Sequence, residues 1–268
     1  MLFRRLRALT ALVVACAILI GLGNCSKKPT GPNPGDITIL FIGNSLTFCN
    51  TMPAWFEHMC SQMDRQVYVY DGSIGETYMV HHIANTRTIS LLQDLDFEWD
   101  AVILQDSSGL EISPSSREQL REIFLIMKLY IRSANPRAGI FTFLDWPDVG
   151  SEDEAFTADR LIDGTIALAD SLNLMIAPVG AAWKRVRAER PGMKLIADDN
   201  VHPSKAGSYL QACVYLAAVF QEDPRLITWR PDGVSKLTAE YLREVAAETV
   251  FNDLERWNIP DWSQPPPF

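Results

Sequence analysis

Short apolar segments recur along the chain, and stretches in which apolar residues follow helical spacing separate them. The first segment, 37–42, is apolar apart from Thr38 and rich in β-branched residues. Such a run is typical of a parallel strand covered by helices on both faces. Similar segments predict further strands along the chain. The predicted strands span 37–42, 67–70, 101–104, 139–144 and 174–179.

The stretches between these strands predict helices, because their apolar residues recur with helical periodicity. The predicted helices span 53–63, 77–92, 114–133, 154–171, 181–189, 204–220 and 237–257. Alternating strands and helices form βαβ units, so we expect an α/β fold of the flavodoxin-like kind, a three-layer α/β/α sandwich around a five-stranded parallel sheet. We expect this domain to span 36–258 and an irregular, proline-rich tail to follow at 259–268.

Residues 1–25 differ in pattern from the rest of the chain. Arg4, Arg5 and Arg7 precede an apolar stretch, 8–23, that is short for a membrane span, which predicts a signal peptide. The stretch ends in Leu-Gly-Asn-Cys, which looks like a bacterial lipobox with Cys25 as the lipidated residue. Cys16 is a weaker candidate for that position, and an ordinary secretory signal with an incidental cysteine is the alternative.

The predicted signal peptide implies an exported protein, held as a lipoprotein in the bacterial cell envelope on the periplasmic or outer-membrane side. Residues 26–35 are polar and rich in proline and glycine, which predicts a flexible tether. The membrane is therefore an expected partner only through the lipid anchor. A formal net charge of -9 argues against nucleic acid and anionic membrane surfaces as partners, because no basic stripe could neutralise phosphates.

Three cysteines remain in the predicted domain, and we interpret them as packed thiols. Cys49 and Cys60 bracket one helical stretch, where they would lie too far apart for a disulfide. No Cys-x-x-Cys or Cys/His spacing, with Cys213 or otherwise, indicates a zinc site.

Ser45 follows the first predicted strand and precedes a predicted helix. Gly43 allows a tight turn at the end of the strand. Free N–H groups and the helix dipole at such a position favour negative charge, as a nucleophilic oxygen and its oxyanion require. The alternative is that Ser45 only caps the helix.

Near the other end of the chain, Asp199 and His202 form an Asp-x-x-His pattern in a loop before a predicted helix. At this spacing the carboxylate can reach the imidazole and fix its tautomer while the other ring nitrogen faces a serine. Asp198 is a rival for the carboxylate. His81 and His82 are adjacent on a predicted helix, so they point in different directions and cannot bind one metal as an i, i+4 pair would.

These two stretches resemble the SGNH (GDSL-like) hydrolase superfamily, with its first block as Gly43-Asn44-Ser45-Leu46 and its last block as Asp199 to His202. The resemblance extends over about 36–222 and implies an SGNH-type fold and a serine esterase. It implies that Ser45 is the nucleophile, His202 the general base and Asp199 the orienting acid. No metal or organic cofactor is implied.

The oxyanion of an ester-cleaving serine enzyme needs converging donors. The backbone N–H of Ser45 is one candidate, and Gly75 is a second because Gly-Ser-Ile-Gly-Glu-Thr resembles the second block of the superfamily. The third block of the superfamily normally supplies an Asn side chain, and the corresponding segment of this chain, 105–108, contains no asparagine. Gln105 is the candidate that can donate in the same way, and Ser107 and Ser108 are its rivals.

The sequence therefore predicts an enzyme that hydrolyses acyl esters, with a short acyl group on a small molecule or a glycan as the favoured substrate. A binding protein that keeps the SGNH fold and binds glycans without turnover is the alternative. A flavodoxin-like nucleotide-binding domain is disfavoured because Gly43-Asn44-Ser45 lacks the glycines and the lysine of a phosphate loop.

Overall fold

Residues 36–63, 66–94, 98–107, 109, 113–147 and 154–260 are described by the computed structural model of the chain. The predicted signal peptide with Cys16 and Cys25, most of the tether, Ser108 and tail residues 261–268 lie outside this part. None of the helices within it is both long and apolar enough to cross a bilayer.

The strands are β1 (Ile37–Ile42), β2 (Val67–Asp71), β3 (Ala101–Leu104), β4 (Gly139–Phe143) and β5 (Met175–Ala177). The helices are α1 (Ser45–Phe48), α2 (Met52–Cys60), α3 (Met79–His82), α4 (Thr86–Leu92), α5 (Pro114–Ala134), α6 (Glu154–Leu172), α7 (Val179–Glu189), α8 (Lys205–Phe220) and α9 (Lys236–Phe251). Short 3₁₀ turns lie at Cys49–Thr51, Pro224–Leu226 and Glu255–Trp257.

The strands form one parallel sheet in the order β2-β1-β3-β4-β5, which confirms the predicted five-stranded sheet. Every residue of β1, β3 and β4 is buried, as their continuous apolar runs predict. β2 lies at the edge of the sheet, and only Val67 is fully buried there. The core therefore lies along the middle strands.

The direction of strand succession reverses at β1, because β2 is added on one side of it and β3 on the other. Right-handed crossovers then put α2 on one face of the sheet and the helices between β2 and β5 on the opposite face. α2 packs against α8, and α8 packs against α9. On the other face α5 packs against α4 and α6. Ligands of such sheets bind where the order reverses, at the carboxyl ends of β1 and β3.

Some element boundaries differ from the predicted ones. The helix predicted over 77–92 is two helices, because the Asn85 side chain accepts a hydrogen bond from the Thr88 amide (3.1 Å) and starts α4 anew. β5 ends before Pro178, which has no amide hydrogen to donate. The last long helix ends at Phe251 instead of at 257. Cys49, Cys60 and Cys213 are free thiols, as predicted.

Candidate active site

Three side chains from opposite ends of the sequence form one hydrogen-bonded chain at the carboxyl edge of the sheet. His202 Nε2 lies 2.9 Å from Ser45 Oγ, and His202 Nδ1 lies 2.8 Å from Asp199 Oδ2. Because an ionised carboxylate only accepts, Nδ1 carries the proton and Nε2 of the neutral ring accepts from the serine hydroxyl. The arrangement can take a proton from the serine and stabilise the resulting imidazolium.

Ser45 is the first residue of α1, and the residue before it caps the helix. Asn44 Oδ1 accepts a hydrogen bond from the amide of Leu46 at 3.0 Å. The alternative in which Ser45 acts only as the cap is therefore wrong. The Ser45 hydroxyl is therefore free of a capping role and contacts His202. Ser45 is half-buried.

The segment 43–47, which we call the Ser45 turn, is held by Gln105 at the end of β3. Gln105 Oε1 accepts from the Asn44 amide at 2.8 Å and from Thr47 Oγ1 at 2.9 Å. A Cβ at Gly43 would lie 2.5 Å from the same Oε1 atom, so the close approach of the two segments requires glycine there. Gln105 and Thr47 are both buried.

His82 supports the Ser45 turn from the other side. Its Nε2 lies 3.0 Å from the Gly43 carbonyl oxygen, and its Nδ1 lies 2.8 Å from Thr88 Oγ1. A carbonyl can only accept, so Nε2 carries the proton and Nδ1 accepts from the threonine hydroxyl. Burial lowers the pKa of His82 below its ordinary value, although the Gly43 carbonyl and Asp106 act in the opposite direction. His82 is thus a neutral side chain that fixes the Gly43 carbonyl.

The segment 197–203, which we call the His202 loop, is held mainly by bonds within itself. Asp199 Oδ1 accepts from the amides of Val201 (3.0 Å) and His202 (2.9 Å). These bonds and the contact with His202 lower the pKa of Asp199 to about 2, with the Val201 amide as the largest cause. The carboxylate therefore stays ionised at neutral pH.

Asp198, the rival for the carboxylate, points elsewhere. Its Oδ1 accepts from Lys194 Nζ at 2.7 Å in a fully exposed ion pair, and this hydrogen bond lowers its pKa. Of the two neighbouring carboxylates, only Asp199 bonds the imidazole in the part of the chain that is described.

Asn50 connects the two segments. Its Nδ2 donates to the Pro203 carbonyl and to Ser208 Oγ, both at 2.9 Å. Its backbone is left-handed (φ 55°), a conformation that asparagine tolerates better than most residues. The 3₁₀ turn after Ser45 is in this way tied directly to the residue after His202.

The candidate oxyanion donors occupy different environments. The Ile74 amide donates to the Gly43 carbonyl at 2.9 Å, which brings the loop of Gly75 beside the Ser45 turn. Gly75 is exposed, and the nearest atom to a Cβ built there is Phe48 Cζ at 3.8 Å. The space next to the Gly75 backbone is therefore open.

The side chain of Gln105, the predicted third donor, is bound to the Ser45 turn. Its oxygen is bound by the Ser45 turn, and its Nε2 is buried without a hydrogen-bond partner among the described residues. A donor that solvent and substrate cannot reach does not bind a developing oxyanion, so Gln105 is a positioning residue in this structure. Ser107 Oγ accepts from Asn44 Nδ2 at 2.8 Å, is half-buried and keeps its own proton to donate.

Sequence reasoning missed four residues of this arrangement: Asn44, Thr47, Asn50 and His82. Asn44 carried a signal, since asparagine before a helix is a preferred cap. The other three act through contacts that span 58, 153 and 39 positions, which local pattern does not encode. Within the described ranges no group of three or more His, Cys, Asp or Glu side chains could hold a metal ion.

Known structures share this architecture. A DUF4886 family protein from Bacteroides uniformis matches with a TM-score of 0.69 and 17% identity, over 81% of this chain and 95% of that one. A candidate SGNH hydrolase from Slackia heliotrinireducens matches with a TM-score of 0.50 and 24% identity, over 67% and 96%. A catalytic mutant of an acetylxylan esterase from Geobacillus stearothermophilus matches with a TM-score of 0.52 and 17% identity, over 68% and 94%.

The fold is that of the SGNH hydrolases. This agrees with the resemblance of the first and last sequence blocks. At these identities the likeness concerns the fold, and no family profile and no curated protein matches the sequence.

Proposed function

We propose that the protein is a serine esterase that hydrolyses short-chain acyl esters, including O-acetyl groups on glycans, through an acyl-serine intermediate. The observation that carries the proposal is the hydrogen-bonded chain from Ser45 through His202 to Asp199. The acetylxylan esterase among the structural neighbours supports the choice of substrate class.

In the proposed reaction His202 Nε2 takes the Ser45 proton as Oγ attacks the ester carbonyl carbon. The tetrahedral intermediate collapses, the C–O bond to the alcohol breaks, and the alcohol leaves with the proton from His202. Water, deprotonated by the same ring, then attacks the acyl-serine. The bond between the acyl carbon and Ser45 Oγ breaks, and the ring returns the proton to Oγ as the acid leaves. Asp199 holds the ring in the required tautomer throughout.

We assign the oxyanion donors as the amides of Ser45 and Gly75 together with the Ser107 hydroxyl. Asn44 orients Ser107 by donating to its oxygen, which turns the hydroxyl proton away from Asn44. Ser107→Ala should lower kcat about a hundredfold with little change in KM, since one donor that acts in the transition state is lost. Ser61→Ala, at an exposed serine whose hydroxyl donates to the backbone carbonyl of His58, is the matched control. A kcat within twofold of wild type would remove Ser107 from the oxyanion site.

Hydrolysis of p-nitrophenyl esters of increasing acyl length tests the proposed function. Wild type should prefer the shortest chains, and Ser45→Ala and His202→Ala should each lose about a thousandfold or more in kcat/KM while they remain folded by circular dichroism. Full activity in either variant would remove that residue from the mechanism. A folded wild-type protein without ester turnover would instead favour a binding protein.

We also propose that the protein is an exported lipoprotein anchored in the cell envelope through Cys25. The apolar stretch after Arg7 and the lipobox-like sequence before Cys25 support this. Cys25→Ala should abolish incorporation of labelled palmitate in growing bacterial cells, whereas Cys16→Ala should retain it. The opposite result would assign the anchor to Cys16. If neither variant incorporated the label, the proposal would be overturned.

A further inference from the structure

A cleft separate from the Ser45 turn lies between α2, the start of α8 and the segment 229–232. Its volume is about 340 Å³, within the range of small-molecule sites. Six residues line it: Trp55, Lys205, Trp229, Arg230, Pro231 and Asp232. We call it the tryptophan cleft.

Two half-buried indole rings form one part of the cleft wall. The Trp55 and Trp229 rings lie 6.2 Å apart at an interplanar angle of 65°. Trp229 also packs against His58 with a centroid distance of 4.8 Å. Aromatic faces that remain in contact with open space offer flat apolar surface to the ring of a ligand.

The segment that carries Trp229 is fixed before any ligand arrives. Tyr209, which is fully buried in α8, donates from its hydroxyl to the Trp229 carbonyl at 2.9 Å. The Thr228 amide donates to Gln62 Oε1 at 3.2 Å. A wall anchored in this way loses little freedom on binding, which favours affinity.

Two cations line the cleft, and each donates a hydrogen bond to a backbone carbonyl oxygen. Lys205 Nζ donates to the Asp232 carbonyl at 3.0 Å, and an Arg230 amino group donates to the Val234 carbonyl at 2.6 Å. No carboxylate within the described ranges lies within 4.0 Å of either cation. Both positive charges are therefore available to a ligand, on a chain whose net charge is -9.

The cleft is joined to the proposed site of chemistry by a short stretch of chain. Lys205 is three positions after His202, so the chain between them spans at most about 10 Å. Pro203 between them is the residue whose carbonyl Asn50 binds. A ligand ring in the cleft can thus belong to the same molecule as an ester group at Ser45.

We propose that the tryptophan cleft binds a carboxylated sugar ring, so that the preferred substrate is an acylated acidic glycan. The indoles would stack on the pyranose ring, Arg230 and Lys205 would bind the uronate carboxylate, and the Asp232 carboxylate would accept from sugar hydroxyls. This inference extends the proposed function, because it assigns the alcohol side of the ester that Ser45 attacks.

Binding and turnover are measured separately to test the inference. Trigalacturonate and methyl glucuronide, which carry no ester, are titrated into the full chain by calorimetry and indole fluorescence at neutral pH. Cellotriose serves as the neutral probe, and citrate as the anion without a sugar ring. Arg230→Gln and Trp55→Ala are compared with Lys236→Gln, at an exposed lysine whose nearest carboxylate, Glu240, lies 3.8 Å away.

At least one acidic sugar should bind to wild type and to Lys236→Gln with equal affinity. Its affinity for Arg230→Gln and for Trp55→Ala should be lower by about tenfold or more. Hydrolysis of p-nitrophenyl acetate, which has no sugar, should be unchanged in Lys236→Gln. The inference would be overturned if cellotriose or citrate bound wild type as tightly as the acidic sugars do. It would also be overturned if neither acidic sugar bound.

The two proposals fail in distinguishable ways. If p-nitrophenyl acetate is hydrolysed but neither acidic sugar binds, the esterase proposal stands and the cleft assignment is wrong. If an acidic sugar binds with the expected variant effects while no ester is hydrolysed, the cleft is a glycan site and the esterase proposal is wrong.

Discussion

The Ser45 turn and the His202 loop meet at the hydrogen bond between Ser45 and His202, yet they are held in place differently. The turn is buried and braced by side chains from distant segments, including Gln105 and His82. The loop is partly exposed, with side-chain exposures of 34% for His202 and 51% for Asp199, and its own amides satisfy the carboxylate.

Because the two segments are supported differently, substitutions in them should affect stability and activity differently. A buried polar group that loses its partner costs stability, whereas a half-exposed group can be rescued by water. Substitutions in the turn should therefore lower both stability and activity, and substitutions in the loop should lower activity with the fold intact.

The largest effect on activity is expected in the loop. Asp199→Asn should lower kcat/KM about a thousandfold to ten-thousandfold. The Asn oxygen would keep the two backbone amides, so its NH2 group would face Nδ1 and favour the tautomer with the proton on Nε2, and a neutral amide does not stabilise the imidazolium. The midpoint of thermal unfolding should change little, since the side chain is half-exposed. Ester hydrolysis and thermal melts measure both.

Asp198→Asn is the matched control, since this carboxylate bonds Lys194 and not the imidazole. It should keep activity within about twofold of wild type. Equal losses in the two variants would mean that the loop as a whole, and not the Asp199 carboxylate, supports the reaction.

A second prediction concerns the turn. Gln105→Leu should lower the free energy of unfolding by about 1–3 kcal/mol, because the Asn44 amide and the Thr47 hydroxyl lose their buried acceptor. Activity should fall as well, since the first turn of α1 is no longer held. Urea unfolding and ester hydrolysis on the same preparation measure the two effects.

Gln93→Leu, at a glutamine that makes an exposed hydrogen bond to Ser133, is the control and should change neither quantity appreciably. A stable Gln105→Leu protein with wild-type activity would show that the turn does not depend on this brace.

The smallest expected effect is a pH dependence of stability from His82. Its folded pKa lies below the ordinary 6.5, so the unfolded chain takes up a proton first as the pH falls. The stabilisation is therefore present above 6.5 and is lost as the pH falls towards the lower folded pKa, with a slope of at most about 1.4 kcal/mol per pH unit.

Urea unfolding at about pH 7 and about pH 5.5 measures this slope. His82→Gln, which can still donate to the Gly43 carbonyl, should flatten it. A slope that is the same in wild type and His82→Gln would contradict the assignment.

The sequence pattern predicted the sheet well because buried parallel strands have few alternatives to continuous apolar runs, as in β1 and β3. It also indicated Ser45 and the Asp199–His202 pair, since each lies in a local motif with chemical meaning. It did not separate Asp198 from Asp199, because one residue of loop geometry decides which carboxylate faces the ring.

The side-chain contacts that hold the Ser45 turn could not be predicted from local sequence motifs. Gln105 looks like a side-chain donor from its position after β3, but in the fold its oxygen serves the Asn44 amide and its nitrogen is buried. His82 looked like one of two adjacent helix residues, and the packing of α3 beside Gly43 is what brings its Nε2 to the Gly43 carbonyl. Contacts of this kind depend on the tertiary arrangement.

Labelling with an organophosphorus fluoridate tests the central claim most directly, because the reagent reacts with an activated serine whatever the natural substrate is. Intact mass spectrometry and peptide mapping should find a single adduct on Ser45 in wild type. The adduct should be absent in Ser45→Ala and form far more slowly in His202→Ala. A folded wild-type protein that stays unlabelled at Ser45, or that is labelled at Ser45 equally fast without His202, would contradict the account.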